Sequence, residues 1–250
     1  MPAYTDRQLR EASEFVLERV RAEVSMETHV YPLLIEAAKK IIAIGYRYGL
    51  SPGMFRFSEN RRLKAEVDRI ISELISEIEE MMWELALYVE EDKESMVALL
   101  SGEYKGATLE ERFGRYASDF GREMQMLIGA GLFAGMTEKE LCAVVEKDYR
   151  HIANLKFVMA ATVAGYATGI GRKNGVTTSS FYALNVLARN TIARGWMERW
   201  RGMHPNATMF YSARGSSYPC AQCDDMVGWH PIEEYEGLWH PNCKCIFIFV

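Results

Sequence analysis

Apolar residues recur at three- and four-residue steps from residue 5 to about 202, and that spacing predicts helix after helix. Leu9, Ala12, Val16, Val20 and Val24 are placed on one face of a first helix, opened by the capping box Thr5-x-x-Gln8. A second helical run follows Met26, carries Leu33, Leu34, Ala37, Ile41 and Ile44, and stops near Gly49, before a Ser51-Pro52-Gly53 turn. The most sustained pattern starts after Ser58, its expected N-cap: Val67, Ile70, Ile71, Leu74, Ile78, Met81, Met82, Leu85 and Val89. It predicts a helix of roughly thirty residues, an arm of about 45 Å at 1.5 Å per residue. Thr108-x-x-Glu111 and Thr137-x-x-Glu140 are two further capping boxes, and Gly135 ends the helix before the second. Residues 154–170 are small and apolar, which suits close helix packing. A glycine-bearing loop at 169–175 leads to a last helix, capped by Ser179 or Ser180 and running to about Arg201.

After His204-Pro205-Asn206 the period changes from helical to alternating. Residues 208–212 and 246–250 read as short strands, with turn formers, aromatics and cysteines between them. The expected architecture is therefore mainly α: a multi-helix body with a long helix at 1–203, and a small C-terminal β/metal-binding module at 204–250.

Composition narrows the class. The 250 residues are 49% hydrophobic and 25% charged, which excludes a disordered chain. A net charge of −5 argues against a basic nucleic-acid binder overall. No apolar run approaches the ~18 residues of a membrane span, so no membrane partner is expected. Met1-Pro2-Ala3-Tyr4-Thr5-Asp6 lacks the basic start and apolar core of a secretory leader; synthesis in a reducing cytosol is expected, where routine disulfides are rare. Charge is unevenly spread. Residues 58–112 hold 15 acidic and 7 basic side chains, and residues 172–201 a net +5, including Arg189, Arg194 and Arg201. The second region could face DNA or a partner. The simpler reading is a solvated helix side whose Trp196 and Trp200 pack on the tail.

The cysteines carry the candidate chemistry. Cys142 stands alone and is expected to behave as a small buried apolar residue. Cys220, Cys223, Cys243 and Cys245 all fall in the last 31 residues. Cys220-x-x-Cys223 is followed, after sixteen residues, by His240-Pro241-Asn242-Cys243-Lys244-Cys245. A Cys-x-x-Cys turn brings two sulfurs to one ion, and a short loop returns a second pair, as in common zinc sites. Five donors compete for the four places of a tetrahedron, so one of His240, Cys243 and Cys245 is expected to stand outside it. A segment of some forty residues with two strands buries little apolar surface, which gives it a reason to need a clamp. The expected cofactor is one structural zinc per chain, with disulfides or free thiols as alternatives. Neither His-Glu-x-x-His nor the upstream His-x-Glu of the deaminases is present, so no catalytic residue is assigned.

These motifs resemble the phage Mu F-like family of minor head (head morphogenesis) proteins. The likeness covers roughly residues 180–250: Arg189-Asn190-Thr191 and Asn185 on the last helix, Arg214 before Cys220 and Cys223, Gly228 after them, and the closing His240-Pro241-Asn242-Cys243-Lys244-Cys245. Lys244 stands where the family usually has Arg, Asn190 interrupts its Arg-Thr pair, and Ser212 replaces an Asp. The resemblance implies a non-enzymatic virion protein, assembled in the host cytoplasm, with portal or capsid proteins as partners and packaged DNA as a further one. The alternative is a metal-dependent nuclease or toxin-like enzyme using the same Cys/His cluster.

Overall fold

A computed structural model describes residues 3–48, 53, 55–88, 90–168 and 179–250. Among them the protein is mainly helical, with eight helices and a small three-stranded sheet near the C-terminus. The features expected at Gly49, Ser51-Pro52, Val89 and 169–175, with Arg172 and Lys173, lie outside the described residues. No described helix is long and apolar enough to cross a membrane.

The first two expected helices are one: α1 spans Asp6–Arg47. Thr5 and Gln8 cap it as expected, with Gln8 N–H donating to Thr5 Oγ1 at 3.2 Å and Thr5 N–H to Gln8 Oε1 at 2.8 Å. Nothing at Met26 stops the helix, and Pro32 sits inside it. The buried stripe also differs from the expected one. Steps of four residues drift off a 3.6-residue turn, so the face follows Ala12, Val16, Arg19, Glu23, Met26, Val30 and Leu34, while Val24 is exposed. Two charged residues thereby enter the interior.

α2 spans Arg61–Ala86 and buries Val67, Ile70, Leu74, Ile78 and Met82 as expected. Asn60, not Ser58, is its cap, with Oδ1 accepting from the N–H groups of Arg62 and Leu63 at 3.0 and 3.1 Å. Ser58 lies in a 3-10 turn at Phe57–Glu59. A short α3, Lys93–Ser101, is capped by Asp92. α4 (Leu109–Phe133) and α5 (Glu138–Asp148) both open on complete capping boxes, at Thr108 and Thr137. Gly135 has a φ of +69° just past α4, the left-handed turn a helix end favours. α6 spans Lys156–Val163 and α7 Ser180–Gly202. Strand β1 (Met209–Ala213) is central, with β2 (Gly228–Pro231) and β3 (Ile246–Phe249) antiparallel on either side. β2 was not expected from the sequence. Its ends are Gly and Pro, residues that weaken a strand pattern but are tolerated on an edge. A single helical turn, α8 (Ala221–Asp225), precedes it.

The chain forms two compact units: Met1–Glu27 with Glu80–Gly102 and Ala188–Val250, and Thr28–Glu79 with Glu103–Leu187. The 204–250 segment thus shares a unit with N-terminal residues and with most of α7.

In the second unit the core is apolar and helical, including Phe120, Met124, Leu127, Phe181 and Leu184. Close packing shows at Gly129 of α4, where a Cβ would stand 2.7 Å from the Tyr166 carbonyl oxygen. Cys142 is only half-buried, because α5 turns Leu141 and Val145 inward instead. One carboxylate is buried here. Glu123 of α4 accepts from the backbone N–H of Ser180 at 2.9 Å and from its hydroxyl, at the start of α7. Burial pushes the Glu123 carboxyl up to about 7, against the pull of the Ser180 hydroxyl and N–H.

In the first unit the aromatic residues of the sheet meet helices. Ala12, Ala193, Met197, Trp200, Phe210, Trp239, Phe247 and Phe249 belong to one buried cluster. The Trp200 indole N–H donates to the Phe247 carbonyl at 2.8 Å, Trp239 to the Ser212 hydroxyl at 3.0 Å, and the Tyr235 hydroxyl to the Met197 carbonyl at 2.6 Å. Trp200 packs on the tail as expected. Trp196 instead donates to the Leu85 carbonyl at 2.9 Å. The tail is therefore less meagre than its own length implies, because the helices supply the apolar partners that 204–250 lacks.

Candidate metal centre

Two backbone knuckles present the donors. In the first, Cys220 precedes α8 and its Sγ accepts the Cys223 N–H at 3.4 Å. In the second, the chain turns at Asn242, whose φ of +63° is left-handed and suits Asn better than most residues. There the Cys243 Sγ accepts the Cys245 N–H at 3.4 Å. N–H groups aimed at sulfur favour the thiolate form that metals bind.

The five expected donors meet as two overlapping triads, Cys220–Cys223–His240 and Cys223–Cys243–Cys245, the donor atoms of each within 4.8 Å of one another. Cys223 belongs to both. His240 Nε2 lies 3.2 Å from the Cys220 sulfur and 2.8 Å from that of Cys223, and the Cys223 and Cys243 sulfurs are 4.0 Å apart. The edges of a tetrahedral zinc site with Zn–S of about 2.3 Å and Zn–N of about 2.1 Å run to about 3.6–3.8 Å, within the spread of these separations. All five cysteines are free thiols, and 4.0 Å is far beyond a disulfide bond of about 2.05 Å. The His240 ring is also oriented for ligation. Its Nδ1 faces the Pro241 carbonyl at 2.6 Å, and a proton held there leaves the Nε2 lone pair toward the sulfurs.

The sulfurs do not share charge equally. Cys243 is pulled down to about 5, first by hydrogen bonding from the Cys245 thiol and then, against burial, by backbone N–H groups of Cys245 and Trp239. Cys245 is pushed up, first because it gives that hydrogen bond and next by burial. Burial foremost pushes Cys223 up to about 12. One proton-poor sulfur is thus flanked by two that keep their protons, as expected where several thiols share a dry space without a cation. A soft or borderline divalent ion would displace those protons and be held as a tetrahedral thiolate–imidazole complex. The donor set fits such an ion, and each triad brings three of its donors within 4.8 Å of one another.

Several residues hold the knuckles in place. Arg214 pairs with Asp224 of α8 and donates to the carbonyls of Ser216, at 3.1 Å, and Tyr218, so one guanidinium ties together the loop before Cys220. The Gln222 amide donates to the Trp239 carbonyl at 2.8 Å, bridging the two knuckles. Gly215 is required by close approach, since a Cβ there would stand 1.8 Å from the Lys244 carbonyl oxygen. The Asn190 side-chain oxygen, on α7, accepts the Asn242 N–H at 2.9 Å. A pocket of about 60 Å³ opens beside the cluster, lined by Arg214, Tyr218, Cys220, His240 and Lys244 among others.

The nearby His230 imidazole is engaged within its own segment. His230 lies 3.0 Å from Glu234 and 3.1 Å from the Met226 carbonyl, and stacks on Phe210. Two arginines of the positively charged 172–201 region make local contacts: Arg189 pairs with Glu27 at 2.5 Å, and Arg201 donates to the His204 carbonyl at 2.6 Å.

Sequence reasoning missed the support from α1. Arg19 is fully buried and donates to the Cys243 carbonyl at 3.0 Å. Glu23, also buried, receives Lys244 and lies 3.7 Å from Arg189. The legible signal was a charged pair, Arg19 and Glu23, spaced four apart within an otherwise apolar stripe. Comparison of the chain with family models, with curated proteins and with solved structures finds no match.

Proposed function

We propose that this chain is a structural minor head protein of the Mu F-like kind, which acts in phage head morphogenesis at the portal or the capsid interior. Its C-terminal Cys/His cluster holds one structural zinc ion. The observation that carries the reading is the closing His240-Pro241-Asn242-Cys243-Lys244-Cys245 motif, whose donors meet those of Cys220-x-x-Cys223. The role of the Arg214 position adds support, because Arg214 ties the loop that presents Cys220. Zinc fits the donor chemistry: thiolates and imidazole gathered in two triads that share Cys223, with no demand for redox change. A non-enzymatic role is favoured over a nuclease or toxin because Asp224 and His230, next to the cluster, are already paired with Arg214 and Glu234. DNA remains a partner to test beside the portal and capsid.

The test is particle composition. Phage particles purified from a host carrying this gene should contain the chain at fixed stoichiometry to portal, and the gene should lie beside those for portal and terminase. Particles free of the chain, with assembly unaffected by deletion of the gene, would overturn the assignment.

A further inference from the structure

We propose that α1, through Arg19, and α7, through Arg189, supply the positive counter-charge of an anionic metal–thiolate core, so that the metal site extends to the N-terminal helix. This rests on the metal reading above and deepens it. Arg19, Arg189 and Lys244 face Glu23 and Glu27 in one network. Among the described residues, three cations against two carboxylates leave one positive charge. Its deepest member, Arg19, is fully buried; its Nε lies 3.4 Å from Glu23 Oε1, and neither Nε nor Nη1 makes a hydrogen bond. An uncompensated buried charge is strongly unfavourable, so the surplus calls for a negative group nearby. The Arg19 guanidinium reaches the backbone of the second knuckle, at the Cys243 carbonyl. A divalent ion held by three thiolates and one imidazole carries 2 − 3 = −1, and one held by four thiolates carries 2 − 4 = −2. Either charge answers the surplus. The cationic network thus stabilises the anionic, metal-loaded core. Residues behind the ligands typically change metal affinity 10–100-fold.

The experiment is a zinc competition titration against a chromophoric chelator, on the full chain under reducing conditions. Arg19→Met is expected to weaken zinc binding tenfold or more, and Arg19→Lys to restore most of the loss. Arg189→Met should weaken it as well, and carries the test if Arg19→Met fails to fold by circular dichroism. Glu23→Gln separates counter-charge from mere scaffolding, because it makes the network more positive. Affinity held or tightened in Glu23→Gln supports the proposal. A loss in Glu23→Gln equal to that of the arginine variants, or unchanged affinity in both arginine variants, overturns it. Failure of the unaltered chain to take up zinc would instead sink the metal reading on which the proposal stands.

Discussion

In the unit built from Thr28–Glu79 and Glu103–Leu187, the contacts that start α4 and α5 lie three residues apart, Thr108 with Glu111 and Thr137 with Glu140. In the unit that holds the tail, Arg19 reaches Cys243 across 224 positions and Gln8 reaches Phe249 across 241. Local contacts fix few residues for each bond made. Contacts between distant positions must first overcome the entropy of closing long loops, so several have to form together. The tail unit accordingly combines an aromatic cluster, a buried ion network and the Cys/His donors, and none of these alone accounts for its order. The donor cluster is thus one member of a cooperative set.

The largest effect should come from Cys223→Ser, which removes the sulfur common to both triads. Metal should be lost, and amide hydrogen exchange in 214–227 and 238–246 should accelerate by orders of magnitude while protection in α4 is unchanged. Equal acceleration in α4 would mean that the two units do not differ in this way. Gly215→Ala comes next. Its new Cβ meets the Lys244 backbone oxygen, and overpacking against backbone should cost roughly 3 kcal/mol in a urea titration. Gly114→Ala, with open space around its Cβ, should be neutral or stabilising by up to about 1 kcal/mol; similar losses in both would remove the close-approach argument.

The helical unit has its own weak point at Glu123, visible as pH dependence. The folded carboxyl titrates near 7 against 4.5 for the ordinary group, so the folded protein keeps a proton that the unfolded chain gives up. Stability should therefore fall as pH rises from about 4.5 to about 7, by about 3 kcal/mol, and Glu123→Gln should flatten that slope. A slope of the opposite sign would show that the Ser180 donors outweigh burial. The smallest effect is expected at a cap: Thr137→Ala should cost about 1 kcal/mol and leave metal content unchanged.

What the sequence made legible follows the same division. Helices α2, α4 and α5 were readable because period and capping are local, and the closing motif was readable because ligand spacing is local too. The Thr5–Gln8 cap was legible, but the continuity of α1 through Met26 was not, since an expected break there rested on no stop signal. Arg19 and Glu23 could not be assigned as supports because their partners, Cys243 and Lys244, are more than two hundred positions away. β2 was hidden by its Gly and Pro ends. The apolar shortfall expected of 204–250 came from counting that segment alone, when Ala12, Ala193 and Met197 complete its core.

The claim on which the rest depends is that Cys220, Cys223, His240, Cys243 and Cys245 converge in order to hold an ion. Elemental analysis of the full chain, purified under reducing conditions and without added chelator, tests it most directly. About one zinc per chain is expected, lost together with order in 214–227 and 238–246 when a strong chelator is added. A chain free of metal, whose tail amides exchange equally slowly before and after chelator, would contradict it.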